Sequence, residues 1–129
     1  MNEPFLSLVL CGAKSIESRF SQKRCAPYGQ VSDGDLILLK ENSGPVVAIA
    51  VAGEIRHFQL DELSWETIWS DYRVPICADE QFVTQQIEAS YATLIQLRAV
   101  LPLADISVEK RDRRGWVVLS ERRSQLHLL

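Results

Sequence analysis

Six consecutive residues of this chain carry three ionisable side chains, Lys14, Glu17 and Arg19, within the run Gly12-Ala13-Lys14-Ser15-Ile16-Glu17-Ser18-Arg19-Phe20. Arginine presents a planar fork of donors and lysine a point charge, and both suit phosphate or carbonyl oxygens. The carboxylate of Glu17 is an acceptor, suited to a base edge or a ribose hydroxyl. If residues 15–20 form a strand, alternate side chains share a face. Ser15, Glu17 and Arg19 then lie together, while Ile16, Ser18 and Phe20 take the other face, with Ile16 and Phe20 toward the core. Parity puts Lys14 on the core face too, but Gly12 frees the backbone at the strand entrance and lets Lys14 turn toward Glu17. The plainer alternative is a surface ion pair of Glu17 with Arg19, worth no more than about 1 kcal/mol.

The next stretch, residues 21–33, is polar and rich in turn formers, so it reads as a loop beside the charged strand. It brings Arg24 as a further cation and Tyr28 as the aromatic best placed to stack on a base. A second basic run, Lys110-Arg111-Asp112-Arg113-Arg114, precedes Gly115-Trp116. Arg111, Arg113 and Arg114 suit phosphate steering, whereas Trp116, opening a strand, reads as core. His57 stands alone beside a strand and reads as locally satisfied. No Ser-His-Asp or Cys-His set can be assembled, so an enzyme would have to work with Lys14 and Glu17.

The charge is unevenly spread. Residues 14–24 carry +3 and residues 110–123 carry +4, which leaves -10 elsewhere in a chain of net charge -3. That split fits either an acidic globule with one basic face or a solvated charged surface without a partner, and it argues against a protein that coats nucleic acid. Cys11, Cys25 and Cys77 are an odd number at wide spacing, with only His57 and His127 to assist them. They read as reduced thiols filling apolar gaps, with neither a metal site nor a cofactor implied. No segment approaches the roughly 20 apolar residues of a membrane span. The start Met1-Asn2-Glu3-Pro4 lacks a basic region followed by an apolar run, so a cytoplasmic protein is expected.

The elements that must position these residues follow from periodicity. Pro4 to Leu10 is apolar and fits a strand or a helical turn. Leu36-Ile37-Leu38-Leu39 reads as a buried strand within 35–40, followed by a turn and a second strand over 46–52. There Val47, Ile49 and Val51 face one way while Val46, Ala48, Ala50 and Ala52 face the other, the small side suiting the tight interior of a barrel. Gly53 marks a bulge. Helical spacing then takes over: Asp61 or Ser64 caps a helix with Leu63, Trp65, Ile68, Trp69 and Tyr72 on its apolar face, ending before Pro75. Asp79 caps another with Phe82, Val83 and Ile87 inward, running to about Ala89. Residues 91–100 return to strand, with Tyr91, Thr93, Ile95 and Leu97 on one side and Gln96 and Arg98 on the other, and Pro102 limiting it. Ile106 to Val108 is a weaker strand and residues 116–119 the last firm one. Strands around a helical block predict an α+β domain. At 129 residues, 47% hydrophobic, one domain over 1–129 is expected, its core at about 4–120 and its tail 121–129 unassigned.

The spacing Gly12-x-Lys14-x-x-Glu17-x-Arg19, then Cys25-Ala26-Pro27-Tyr28-Gly29, Gly34-Asp35 opening an apolar strand, and Arg113-Arg114-Gly115-Trp116 resembles the ASCH domain family of the PUA-like superfamily. The resemblance covers most of the chain. It implies a small PUA-like β-barrel with flanking helices, a strand leading into a brief helix at the N-terminus, and binding of RNA or a nucleotide in a cleft lined by the first motif. On that basis Lys14, Ser15, Glu17, Arg19, Arg24, Tyr28, Arg111, Arg113 and Arg114 are the expected ligand residues, and RNA or a nucleotide-like molecule the partner. The alternative is a small hydrolase or nuclease in the same cleft. Members resembling an acetylcytidine amidohydrolase have threonine where this chain has Glu17, which argues against that chemistry here. A third reading is a protein-interaction module whose basic stretches meet an acidic partner.

Overall fold

Val46, Ala48, Ala50 and Ala52 are each exposed by 1% or less, while Val47, Ile49 and Val51 between them are half-buried. The expected small-residue side is therefore the enclosed one. In the computed structural model, which describes residues 1, 3–25, 27–106, 117–120 and 126–128, these residues begin strand β3 (Val46–Gln59). The other strands are β1 (Ile16–Ser21), β2 (Leu36–Lys40), β4 (Tyr91–Ile106), β5 (Val117–Ser120) and β6 (Leu126–Leu128). The sheet order is β1-β4-β3-β2-β6-β5. Its first four strands are antiparallel, and β6 joins β2 in parallel.

Two registers decide what faces what. Glu17 stands opposite Ile95, and Arg19 opposite Thr93. Ile55 and His57 of β3 stand on the far side of the same two residues. Side chains directly opposite share a face, so Glu17, Ile95 and Ile55 form one row and Arg19, Thr93 and His57 the next. A core of Ile37, Leu39, Ala48, Ala50, Ala52, Ile95 and Leu97 lies on this inner, concave face, covered by Leu6 and Val9 of helix α1 (Phe5–Leu10) and by Val31. The outer face is buried as well. Ala92 and Leu94 pack there with Ile68, Ile76, Ile16 and Phe20. Ile16 and Phe20 do face a core, but it is the helical one, and the Glu17 face is not a surface.

The helical block comprises α2 (Glu62–Thr67), a π-helical segment (Ile68–Tyr72), α3 (Arg73–Ile76) and α4 (Glu80–Gln85). Asp61 caps α2 by accepting from the Ser64 amide at 2.8 Å, and Asp79 caps α4 through Phe82 at 2.7 Å. The sheet is curled into a half-barrel beside these helices, and among the described residues β1 and β5 stand at opposite ends of its order, each paired along one edge only, β1 with β4 and β5 with β6. The α+β class and the flanking helices are as expected. Register shifts occur between Val46 and Ala48, Ile49 and Val51, and Ala52 and Ile55, and such bulges curl a sheet. A Cβ at Gly53 would meet the side-chain ends of Gln96 and Arg98, so glycine lets β3 bulge there.

Several expectations need correction. Residues 5–10 are helix, with no strand ahead of them among the described residues. Leu36 is 41% exposed, so β2 is fully buried on one side only. The block passes through Pro75 to Ile76, because a proline near the start of a short helix has no intrahelical donor to lose. Leu63 and Ile87 point outward, at 73% and 71% exposure, and α4 stops at Gln85. Strand β4 runs past Pro102 to Ile106, helped by Ala99 at φ 51° and the bulges beside it. Cys11 and Cys25 are exposed and fill no gap. Residues 107 and 108, the basic run 110–114 and Trp116 lie outside the described residues.

Candidate ligand site on the inner face of the sheet

Parity along β1 puts Glu17 and Arg19 on the concave face, and burial then separates their roles. Glu17 is 6% exposed. Its Oε1 accepts from the Ser18 amide at 3.1 Å and lies 3.8 Å from Arg19 Nε, while Oε2 is buried with no hydrogen-bond partner among the described residues. A buried carboxylate oxygen left without a donor is unfavourable by about 1–3 kcal/mol or more, and few such groups persist in native proteins without a reason. Arg19 is half-buried beside it. This is not the exposed pair that a solvated charged surface would give.

Lys14 is 2% exposed and its ammonium donates to the carbonyl of Ile76 at 2.6 Å, 5.0 Å from the Phe5 ring centroid. It thus satisfies a terminal carbonyl of α3 instead of turning fully to Glu17. Burial pushes Lys14 below its ordinary value of 10.5, and the nearby Glu17 charge pulls it partly back. The folded chain therefore releases this proton at lower pH than the unfolded chain. Stability should rise with pH over the interval just below 10.5, and Lys14→Met should remove that rise. Urea midpoints through the alkaline range check this; identical profiles for the two proteins would contradict it.

Ser15 parts company with the other two. It precedes β1, is exposed, and lines an opening of about 110 Å³ on the outer face with Tyr72, Arg56 and Gln96. Arg24 and Tyr28, by contrast, arrive over the inner face. The Tyr28 ring meets His57 edge-on at 5.0 Å and Tyr91 at 5.1 Å. The Arg24 guanidinium sits 5.7 Å from the Tyr28 centroid and 5.5 Å from that of Tyr91. Arg111, Arg113 and Arg114 lie outside the described residues.

The structure adds residues that sequence reasoning passed over. His57 Nδ1 accepts from the Gly29 amide at 3.5 Å and lies 3.2 Å from Thr93 Oγ1, which assigns the ring hydrogen to Nε2. Burial holds this histidine below its ordinary 6.5. Thr93 is 1% exposed and forms the floor between Arg19 and His57. The alternation had put Tyr91 and Thr93 on one side of β4, but only strand pairing places them beside Arg19. Together these residues set a buried acceptor, a cation and an aromatic ring along one face of the sheet. Among the described residues no three His, Cys, Asp or Glu side chains gather as metal ligands would, and no helix is long and apolar enough to cross a membrane.

The crystal structure of ASCH from Zymomonas mobilis superposes on this chain with a TM-score of 0.64, covering 84% of this chain and 70% of that one at 21% identity. The fold is that of an ASCH domain. A mutant of the Z. mobilis protein, with phenylalanine in place of one tyrosine, superposes equally well and is covered over 72% of its length. At that identity the likeness establishes the ASCH fold alone. No protein-family model matches the chain, and no curated protein matches it.

Proposed function

We propose that this chain, acting over residues 1–129 as one cytoplasmic ASCH-type module, binds RNA or a nucleotide-like ligand in the groove between Glu17 and Tyr28. The buried, unpartnered Oε2 of Glu17 beside Arg19 supports this most strongly. A ligand N–H or O–H would supply the missing donor, and Arg19 would take a phosphate or carbonyl oxygen. Lys14, held below by Ile76, adds positive potential from the buried side. Arg24 extends the contact at the rim, Ser15 on the outer face takes no part in it, and Arg111, Arg113 and Arg114 steer phosphates toward it.

Single-stranded RNA should bind weakly and more weakly as salt rises. With about 3 neutralised phosphates the logarithmic salt slope should be roughly -2. Arg113→Ala or Arg114→Ala should flatten that slope by less than about one unit and weaken all sequences alike. Arg19→Ala should weaken binding more, while Glu17→Gln should change preference among bases more than it changes the slope. Salt-independent binding, or none at low salt, would overturn the proposal. The hydrolytic alternative is tested by incubation with acetylated cytidine. Little or no deacetylation is expected, since Glu17 provides no hydroxyl nucleophile; robust turnover lost in Lys14→Ala would reverse that judgement.

A further inference from the structure

The geometry points to a second base-stacking subsite in the same groove, walled by Tyr28 and Tyr91 and filled in the free protein by the side chain of Arg24. The ligand is then an RNA segment of at least two nucleotides. This rests on the reading that Glu17 and Arg19 hold one nucleotide. Tyr91 is two residues along β4 from Thr93, opposite Ser21, so its row lies roughly 7 Å beyond that of Arg19 and roughly 13 Å beyond that of Glu17. A nucleotide neighbouring one bound at Glu17 would reach it across a single phosphodiester, with Arg19 beneath the phosphate.

The two tyrosine rings stand at 65° to each other, 5.1 Å apart, and both are half-buried. They are held in advance of any ligand. Pro27 is buried, the Tyr28 amide donates to the Cys25 carbonyl at 3.0 Å, and the Gly29 amide donates to His57. What covers them is Arg24, an exposed side chain on a polar loop. An exposed cation–π contact contributes roughly 2- to 5-fold to an equilibrium. Stacking of a base on an aromatic ring contributes roughly 5- to 150-fold. A base should therefore displace Arg24, whose guanidinium occupies the aromatic surface without being fixed there by burial.

The test compares the four homodinucleotides ApA, CpC, GpG and UpU with matching molecules whose second sugar is abasic, which keeps the phosphodiester charge and removes the second base. In the wild-type protein the best-bound dinucleotide should bind about 5-fold or more tighter than its abasic match. Tyr91→Leu, checked for folding, should erase that difference and leave abasic affinity unchanged, and Tyr28→Leu should erase the difference as well. The Arg24 side-chain proton resonances should move away from ring-shifted positions with the dinucleotide and stay put with the abasic molecule. If both molecules bind equally well, the second subsite is wrong and the nucleotide site at Glu17 stands. If neither binds the protein at all, both fall.

Discussion

Replacing His127 by alanine should remove about 3 kcal/mol or more of folding stability, because it breaks a buried polar pair from one side. His127 is fully buried, and its Nε2 lies 2.8 Å from Oδ2 of Asp35, itself 1% exposed. That same oxygen accepts from the Ser32 amide at 2.9 Å, and the Asp35 backbone bonds to Ser32 and Ala52 where β2 begins. The pair therefore ties the C-terminal strand β6 to the entrance of β2, beside the Ile37–His127 register of the parallel ladder. Alanine would leave a carboxylate short of a donor and a cavity the size of an imidazole. Urea denaturation should show the midpoint falling with the slope unchanged. His127→Gln, which keeps a donor, should recover part of the loss; a change under about 1 kcal/mol for alanine would show that β6 is dispensable.

Glu17→Met should do the opposite to stability and the worst to binding. The variant removes a buried carboxylate oxygen without a partner and places a flexible apolar chain of similar volume beside Ile95 and Ile55. It also forfeits the Ser18 contact and a weak attraction to Arg19 at 3.8 Å. The balance should be a gain of about 1 kcal/mol. RNA affinity should fall about tenfold or more, the value of one hydrogen bond to a charged group. A residue that lowers stability while serving a ligand is what a binding site is expected to contain. If Glu17→Met were destabilising by several kcal/mol, Glu17 would be a structural residue.

How much of this was legible in the sequence depends on whether the information was local. The alternation of Ala48, Ala50 and Ala52 with Val47, Ile49 and Val51 announced the enclosed side of β3, and Asp61 and Asp79 announced two helix starts, because both signals lie within a few residues. Glu17 and Arg19 were found for the same reason. That their face is concave and that Glu17 is buried was not legible, since both follow from the pairing of β1 with β4, some 75 residues away. His57 looked unremarkable because its partners, Gly29 and Thr93, sit in other elements. Lys14 was misjudged similarly, its acceptor being the Ile76 carbonyl of a helix that no spacing rule connects to it. The tail offered only three apolar-patterned residues, and the buried partner of His127 lies 92 positions earlier.

The most direct measurement is a crystal structure of the protein with a short single-stranded RNA or a nucleotide bound. The account predicts density on the concave face, with a ligand N–H or O–H at hydrogen-bond distance from Glu17 Oε2 and a phosphate or carbonyl oxygen on Arg19. A ligand seated on the outer face, or one on the inner face that leaves Glu17 Oε2 without a donor, would contradict it.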